Sequence, residues 1–187
     1  MCVRETAARA GMYHLLARLW ISEVDTALLL TLSTTDLHDS WTEAGGILPD
    51  GNGPETVEIL AADYCQLFIG PHGHLPPYQS VWQERILDGA AAASMRKYMA
   101  AVGYSEKRLP EGVMPDHLGV QLDFMAELLG RAMEDSPDRN LLMEIADNFV
   151  AQHLTWTREL TNAGERQAQT DFYQAMIRMT AEFLEAT

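Results

Sequence analysis

The chain has 187 residues, of which 47% are hydrophobic and 21% are charged, a balance that fits one globular domain and excludes an intrinsically disordered chain. Thirteen basic against 27 acidic residues give a net charge of −14, which disfavours nucleic acid and anionic lipid as partners and favours cationic ones. Two cysteines, Cys2 and Cys65, are too few for a disulfide framework or a four-cysteine zinc site. We therefore expect a single domain over residues 1–187, with Cys65 as a small buried hydrophobic residue.

The first twenty residues are polar before they are apolar, and Arg18 interrupts the apolar part. This pattern lacks the uninterrupted apolar core of a signal peptide. No apolar run approaches the roughly 20 residues that are needed to cross a bilayer. The sequence therefore predicts a cytoplasmic protein that does not insert into a membrane.

Leucine, alanine, methionine and glutamate are frequent, whereas valine and isoleucine are sparse, which favours helices over strands. Apolar residues at helical spacing predict a helix over residues 5–20 and a shorter one over residues 23–34. Glycine, proline and asparagine mark a loop over residues 39–54. Pro54 then suits the first position of a helix that continues to Phe68.

After a proline-rich stretch, residues 88–103 predict a helix that ends at Gly103, followed by a connecting loop over residues 104–115. Pro115 is expected to begin a long helix, Ser136 to cap the next one, and a last helix to run from about residue 165 to residue 185. No segment shows the two-residue alternation of a strand. The sequence thus predicts an all-α, single-domain helical bundle of about seven to nine helices.

The strongest metal candidate is the pair His72 and His74, with His117 or Asp116 as a further ligand from elsewhere in the chain. Imidazoles suit zinc, but a structural zinc site needs four ligands, and two histidines in a glycine- and proline-rich loop are usually solvated. Phosphate-binding loops and the common hydrolase motifs are absent from the sequence. A metal-dependent hydrolase that uses these four residues is therefore an alternative interpretation only.

Two further features have both a structural and a functional interpretation. Asp116 can cap the helix that Pro115 begins, or can face a groove together with His117, whose hydrogen bonding would vary near neutral pH. The prolines before Tyr78 predict a rigid loop, in which Tyr78 and Trp82 either pack onto the core or hold another polypeptide.

Two sets of residues occur in the order and spacing of known signatures. The first set is Tyr64, Leu67, Phe68, Gly70, Pro71, Pro77, Tyr78, Ser80 and Trp82, and the second is Pro115, Asp116, His117, Leu122, Phe124 and Met125. Together they resemble the signatures of the TorD/DmsD/NarJ family of molybdoenzyme-specific chaperones, also called redox enzyme maturation proteins. The resemblance spans about residue 55 to the C-terminus.

The resemblance implies an all-α fold of the TorD type and a cytoplasmic chaperone without catalytic turnover. Such a chaperone binds the apo form of a molybdopterin-dependent oxidoreductase, often through its twin-arginine signal peptide, until the cofactor is inserted. It requires no cofactor, although some members bind molybdopterin precursors or guanine nucleotide weakly, and it is a monomer or a helix-exchanged dimer. A carrier of molybdopterin or nucleotide is a further alternative. The client enzyme stays open.

The resemblance also separates two groups of residues. The predicted partner-binding residues are Pro77, Tyr78, Ser80, Trp82, Asp116, His117 and Phe124. The predicted structural residues are Tyr64, Leu67, Phe68, Gly70, Pro71 and Pro115. In this scheme Asp116 attracts a guanidinium group, while Tyr78 and Trp82 contact the apolar part of the peptide or stack on arginine.

Overall fold

The computed structural model describes residues 3–134 and 137–187, and this part of the chain is helical, with no strand. It contains ten α-helices, which slightly exceeds the predicted number and confirms the all-α class. They are α1 (Val3–Ile21), α2 (Thr26–Leu32), α3 (Thr35–Glu43), α4 (Pro54–Tyr64), α5 (Gln79–Glu84), α6 (Ala90–Val102), α7 (Leu118–Met133), α8 (Arg139–His153), α9 (Thr157–Gln167) and α10 (Asp171–Glu185). A π-helical turn (Cys65–Ile69) extends α4, and a 3₁₀ turn (Glu106–Arg108) follows α6. None of the helices in the described ranges is long and apolar enough to cross a bilayer.

The chain forms two compact units. The first, unit 1, contains residues 1–21 and 77–157, and the second, unit 2, contains residues 22–76 and 158–187. The expectation of a single domain over residues 1–187 stays a prediction.

Unit 1 is organised around the packing of α1 against α7. Gly119, in the first turn of α7, allows a close approach, because a Cβ atom there would lie 2.4 Å from Cγ1 of Ile21 and 2.9 Å from the carbonyl oxygen of Ala17. The apolar face of α7 is buried at Leu118, Val120, Leu122, Phe124, Met125, Leu128, Leu129 and Ala132. This packing fixes the start of α7, where the second signature lies.

Unit 2 is held by an aromatic cluster and by one buried carboxylate. Trp41 of α3 stacks on Phe172 of α10 with 5.5 Å between ring centroids. Asp63 of α4 is buried and accepts hydrogen bonds from the backbone N–H groups of Gln169 and Thr170 and from the Thr170 hydroxyl, at 2.7 to 3.1 Å. Asp63 thereby satisfies the two backbone N–H groups that immediately precede α10 and connects α4 to the start of that helix.

Two predicted boundaries were wrong. Helix α3 occupies part of the predicted loop over residues 39–54, because Trp41 anchors this polar segment to the core of unit 2. The long helix begins at Leu118 rather than at Pro115, since residues 114–117 form a turn in which the N–H of His117 donates to the carbonyl of Met114.

Three further expectations concern single positions. The predicted last helix is interrupted between Gln167 and Asp171, where Thr170 caps α10 by accepting from the N–H of Tyr173. Cys65 is exposed rather than buried, because it lies on the outer side of the helix whose inner side is formed by the neighbouring aromatic and aliphatic residues. The predicted cap at Ser136 lies outside the described residues.

Candidate functional site

The two signatures meet in unit 1 as a short antiparallel pair. Tyr78 and His117 form an isolated β-bridge. The N–H of Leu118 donates to the carbonyl of Pro77 at 2.8 Å, and the N–H of Gln79 donates to the carbonyl of Asp116 at 3.1 Å. Segments almost 40 residues apart in the chain are therefore joined through their backbones. We call these two segments, residues 77–82 and 115–118, the signature site.

Asp116 caps a helix, but not the helix that the sequence suggested. Its Oδ2 accepts a hydrogen bond from the N–H of Ser80 at 2.8 Å, in the first turn of α5. The Ser80 hydroxyl oxygen accepts in turn from the N–H of Gly89 at 3.1 Å. The Asp116 side chain is completely buried, and its Oδ1 has no hydrogen-bond partner among residues 3–134 and 137–187. A buried carboxylate oxygen without a partner is energetically costly, so this atom is available for a donor that can reach it.

His117 caps α7, a role that the sequence analysis gave to Asp116. Its Nδ1 accepts from the N–H of Gly119 at 3.0 Å, which requires that this nitrogen carries no proton. Burial lowers the pKa of His117 to about 3. The expectation that its hydrogen bonding varies near neutral pH is therefore wrong, because the ring stays neutral there.

The predicted partner-binding residues differ strongly in accessibility. Pro77, Ser80, Asp116, His117 and Phe124 are buried in this structure, whereas Tyr78 and Trp82 are half-buried.

The Tyr78 ring meets the His117 ring edge-to-face, with 4.9 Å between centroids. Burial raises the pKa of the Tyr78 hydroxyl, and the nearby charge of Asp116 raises it further. The aromatic surface that a partner can reach at the signature site consequently comes from Tyr78 and Trp82. The partner-binding role of all seven residues stays a prediction.

A buried polar network beside the signature site was missed by the sequence reasoning. Oε1 of Gln79 accepts from Nε2 of Gln121 at 2.7 Å and from Nδ1 of His153 at 2.8 Å. Nε2 of Gln79 donates to Oε1 of Gln83 and to the carbonyl of Gln152, both at 3.1 Å. Gln79 thus fills all four hydrogen-bonding positions of its amide and connects α5 to α7 and α8.

The same network fixes the protonation state of His153. Because Oε1 of Gln79 can only accept, Nδ1 of His153 carries the proton, and Nε2 accepts from the Ser94 hydroxyl at 3.0 Å. Burial lowers the pKa of His153 to about 4. The indole N–H of Trp156 donates to Oε1 of Gln121 at 3.1 Å, which extends the network to the end of α8. Polar residues within the apolar helical patterns were the available signal for this network.

The predicted structural residues divide between the two units. In unit 2, Tyr64, Leu67, Phe68 and Gly70 are buried and Pro71 is exposed, while Pro115 is buried in unit 1. Tyr64 and Phe68 pack edge-to-face at 5.1 Å between centroids. The carbonyl of Leu67 accepts from the N–H of Leu75 at 2.6 Å, which closes the loop that contains the two histidines.

The histidines of that loop do not form a metal centre with other residues. His72 is exposed and His74 is half-buried. Across residues 3–134 and 137–187, no three or more His, Cys, Asp or Glu side chains are grouped closely enough to hold a metal ion. The hydrolase alternative, with His72, His74, Asp116 and His117 as ligands, therefore has no support.

The chain is similar to named proteins over most of its length. It is 36% identical over 135 residues to the chaperone protein TorD of Vibrio cholerae, a match that covers 67% of this chain and 59% of that protein. It is 27% identical over 197 residues to the chaperone protein TorD of Shewanella sp. strain MR-4, covering 95% of this chain and 91% of the relative. The chain thus matches less than two thirds of the Vibrio cholerae protein and nearly all of the Shewanella protein.

A solved structure has the same fold. The crystal structure of a candidate redox enzyme maturation protein from Archaeoglobus fulgidus matches with a TM-score of 0.58 and 22% sequence identity, covering 95% of this chain and 93% of that one. The family model described as nitrate reductase delta subunit matches residues 33–162. Because this match covers well over half of the chain, the chain belongs to the nitrate reductase delta subunit family, the TorD/NarJ group whose signatures it carries.

Proposed function

We propose that the chain is a cytoplasmic chaperone, without catalytic turnover, for the apo form of a molybdopterin-dependent oxidoreductase. In this role it binds the enzyme before the cofactor is inserted and recognises the twin-arginine segment of its signal peptide. The single observation that carries the proposal is the backbone pairing of the two family signatures in one site, in a chain related to proteins that are named TorD chaperones.

Tyr78 and Trp82 are proposed to contact the apolar part of the peptide, since they are the two half-buried aromatic residues of the signature site. Asp116 is proposed to accept an arginine N–H group at Oδ1, the oxygen that has no partner within the described part of the chain. His117, Ser80 and Phe124 then support the site from the interior.

The acidic character of the chain supports a cationic peptide as the partner. A net charge of −14 attracts paired arginines and accelerates their encounter with the protein. This contribution is screened by salt, so peptide affinity should fall as the ionic strength rises.

The test begins with a pull-down of the tagged chain from its native host grown anaerobically, followed by identification of the bound protein. A synthetic peptide with the twin-arginine segment of the recovered enzyme is then titrated by calorimetry against wild type and variants. Tyr78→Ala and Trp82→Ala should each weaken binding by about tenfold or more, whereas Leu141→Ala, an exposed aliphatic residue on α8, should leave it unchanged.

Asp116→Asn separates the charge of this residue from its capping role. Asparagine keeps an oxygen acceptor for the N–H of Ser80 but removes the negative charge, so peptide affinity and its salt dependence should both decrease. Urea titrations of each variant verify that the folded fraction is unchanged. Recovery of no molybdoenzyme, or equal affinities for wild type and the two aromatic variants, would refute the proposal.

A further inference from the structure

The negative charge of the chain is concentrated in unit 2. Residues 22–76 and 158–187 contain fourteen carboxylates and three arginines, a net charge of −11, which leaves −3 for the other unit. Within residues 22–76 there are nine carboxylates and no lysine or arginine. The formal charges of this segment are therefore all negative, with no lysine or arginine within it to neutralise them.

Helix α4 and the π-helical turn that follows it present an exposed stripe in this segment that contains two isoleucines. Glu55, Ile59, Ala62, Gln66 and Ile69 recur at intervals of three and four residues, and all five are exposed. Ile59 is 55% exposed and Ile69 is 60% exposed. The five residues therefore form one surface, which we call the α4 face.

The opposite side of the same helix is buried. Its inward residues are Leu60, Asp63, Tyr64, Leu67 and Phe68. The packing of unit 2 consequently fixes the orientation of the α4 face toward solvent. Residues 22–76 also contain three other exposed large aliphatic residues, at positions 30, 37 and 47. This acidic segment thus combines exposed aliphatic side chains with formal charges of one sign.

We propose that the α4 face is a docking site for a cationic amphipathic helix of a partner protein. Ile59 and Ile69 would contact the apolar side of that helix, while Glu55 and Glu58, at the N-terminal end of α4, would face its lysines or arginines. A second copy of this chain is a poor occupant because it carries the same strongly negative charge, and anionic lipid is repelled for the same reason. Charge complementarity therefore selects a basic partner.

This surface is separate from the signature site, which lies in the other unit. The inference adds a second contact to the chaperone activity and does not rest on peptide binding at Tyr78 and Trp82. The two ideas can consequently fail independently.

The probe is a synthetic amphipathic peptide of about 18 residues with leucines on one side and lysines on the other, labelled for fluorescence anisotropy. The comparison peptide has glutamates in place of the lysines. We expect the lysine peptide to bind at low salt and more weakly at high salt, and the glutamate peptide not to bind. Equal binding of both peptides would overturn the proposal.

Matched variants distinguish binding at the α4 face from attraction by the net charge of the chain. The double variant Glu55→Gln/Glu58→Gln should weaken binding about fivefold to tenfold and reduce the salt dependence. Glu144→Gln/Asp147→Gln removes the same charge at the same spacing from exposed positions of α8 and should leave the affinity within about twofold of wild type. Equal losses for both double variants would mean that only net charge attracts the peptide, and the proposal would fail.

The apolar half of the proposal has its own control. Ile59→Ser should weaken binding about tenfold, whereas Leu141→Ser, at a residue that is also 55% exposed, should have no effect. If Trp82→Ala abolishes this binding and the α4 variants keep it, the peptide occupies the signature site, and the inference fails while the proposed function stands.

Discussion

Replacing His117 and His153 with asparagine should flatten the loss of stability that the wild-type chain undergoes as the pH falls from 7 to 5. Both histidines are buried and neutral in the folded chain, with pKa values lowered to about 3 and about 4. In the unfolded chain they titrate at the ordinary value of 6.5. The unfolded state binds protons in this pH range and the folded state does not. The free energy of unfolding is therefore highest above pH 6.5 and decreases as the pH falls toward the folded pKa values.

The size of this effect follows from the difference between the ordinary pKa and the pH. At pH 5 each unfolded histidine is stabilised by about 2 kcal/mol through protonation, and the folded chain gains almost nothing, because both folded pKa values lie below 5. Ser94, which contacts His153, is only half-buried, so solvent screening reduces the contribution of His153 to this loss of stability. We therefore expect the two residues together to remove roughly 3–4 kcal/mol of the free energy of unfolding between pH 7 and pH 5.

Asparagine is the appropriate substitution because it keeps the hydrogen bond that each ring makes through Nδ1. In His117→Asn the new side-chain oxygen can accept from the N–H of Gly119 as a good helix cap, and in His153→Asn the new amide can donate to Oε1 of Gln79. Neither side chain titrates. His153→Asn also loses the hydrogen bond with Ser94, which lowers the free energy of unfolding by the same amount at every pH. The dependence of this free energy on pH therefore still reports the titration of the histidines.

The assay is urea denaturation, followed by circular dichroism and by tryptophan fluorescence, at several pH values between 7 and 5. The difference between wild type and the double variant cancels the contribution of every other titrating group. Parallel stability curves for the two proteins across this range would show that the histidines are protonated in the folded chain, and the reasoning from burial would be refuted.

Two further predictions concern the packing of each unit. Asp63→Ala leaves the backbone N–H groups of Gln169 and Thr170, which immediately precede α10, without their acceptor and should lower the free energy of unfolding by about 3–5 kcal/mol in urea titrations. The exposed Asp50→Ala should change it by less than about 0.5 kcal/mol. Gly119→Ala places a Cβ atom against α1 and should cost about 1–3 kcal/mol, while Gly130→Ala in the same helix, where a Cβ atom has open space, should be neutral or stabilising. Equal effects within either pair would contradict the assigned packing.

The sequence predicted most helices because their apolar residues repeat at helical spacing, which is a local property. Helix α3 was missed because its segment is polar and short, and the contact that joins it to the core, that of Trp41 with Phe172, is with a residue more than a hundred positions away. Local patterns contain no information about such a partner. The start of α7 was misplaced for a related reason, since Pro115 fits a first helical position but here lies in the preceding turn.

The sequence predicted which residues form the candidate site but not how they are arranged. The signature motifs identified Tyr78, Asp116 and His117, and these residues do meet in the structure. Their hydrogen bonds could not be predicted, because Asp116 caps a helix 36 residues earlier in the chain. Gln79 was missed altogether, although it forms buried hydrogen bonds with residues 42 and 74 positions away.

Gln79 shows what the burial of the signature site achieves. With its amide fully satisfied by α7, α8 and its own helix, it holds α5 in one place, and α5 carries Trp82 beside Tyr78. A partner that binds these two aromatic residues therefore does not have to order them, which lowers the entropic cost of binding. Two half-buried aromatic residues are nevertheless a small surface, since specific protein interfaces use about 20–30 residues on each side. A chaperone of the proposed kind, which holds a whole enzyme, consequently needs a second contact, and the proposed docking site on the α4 face, with exposed Ile59 and Ile69 beside Glu55 and Glu58, would supply it.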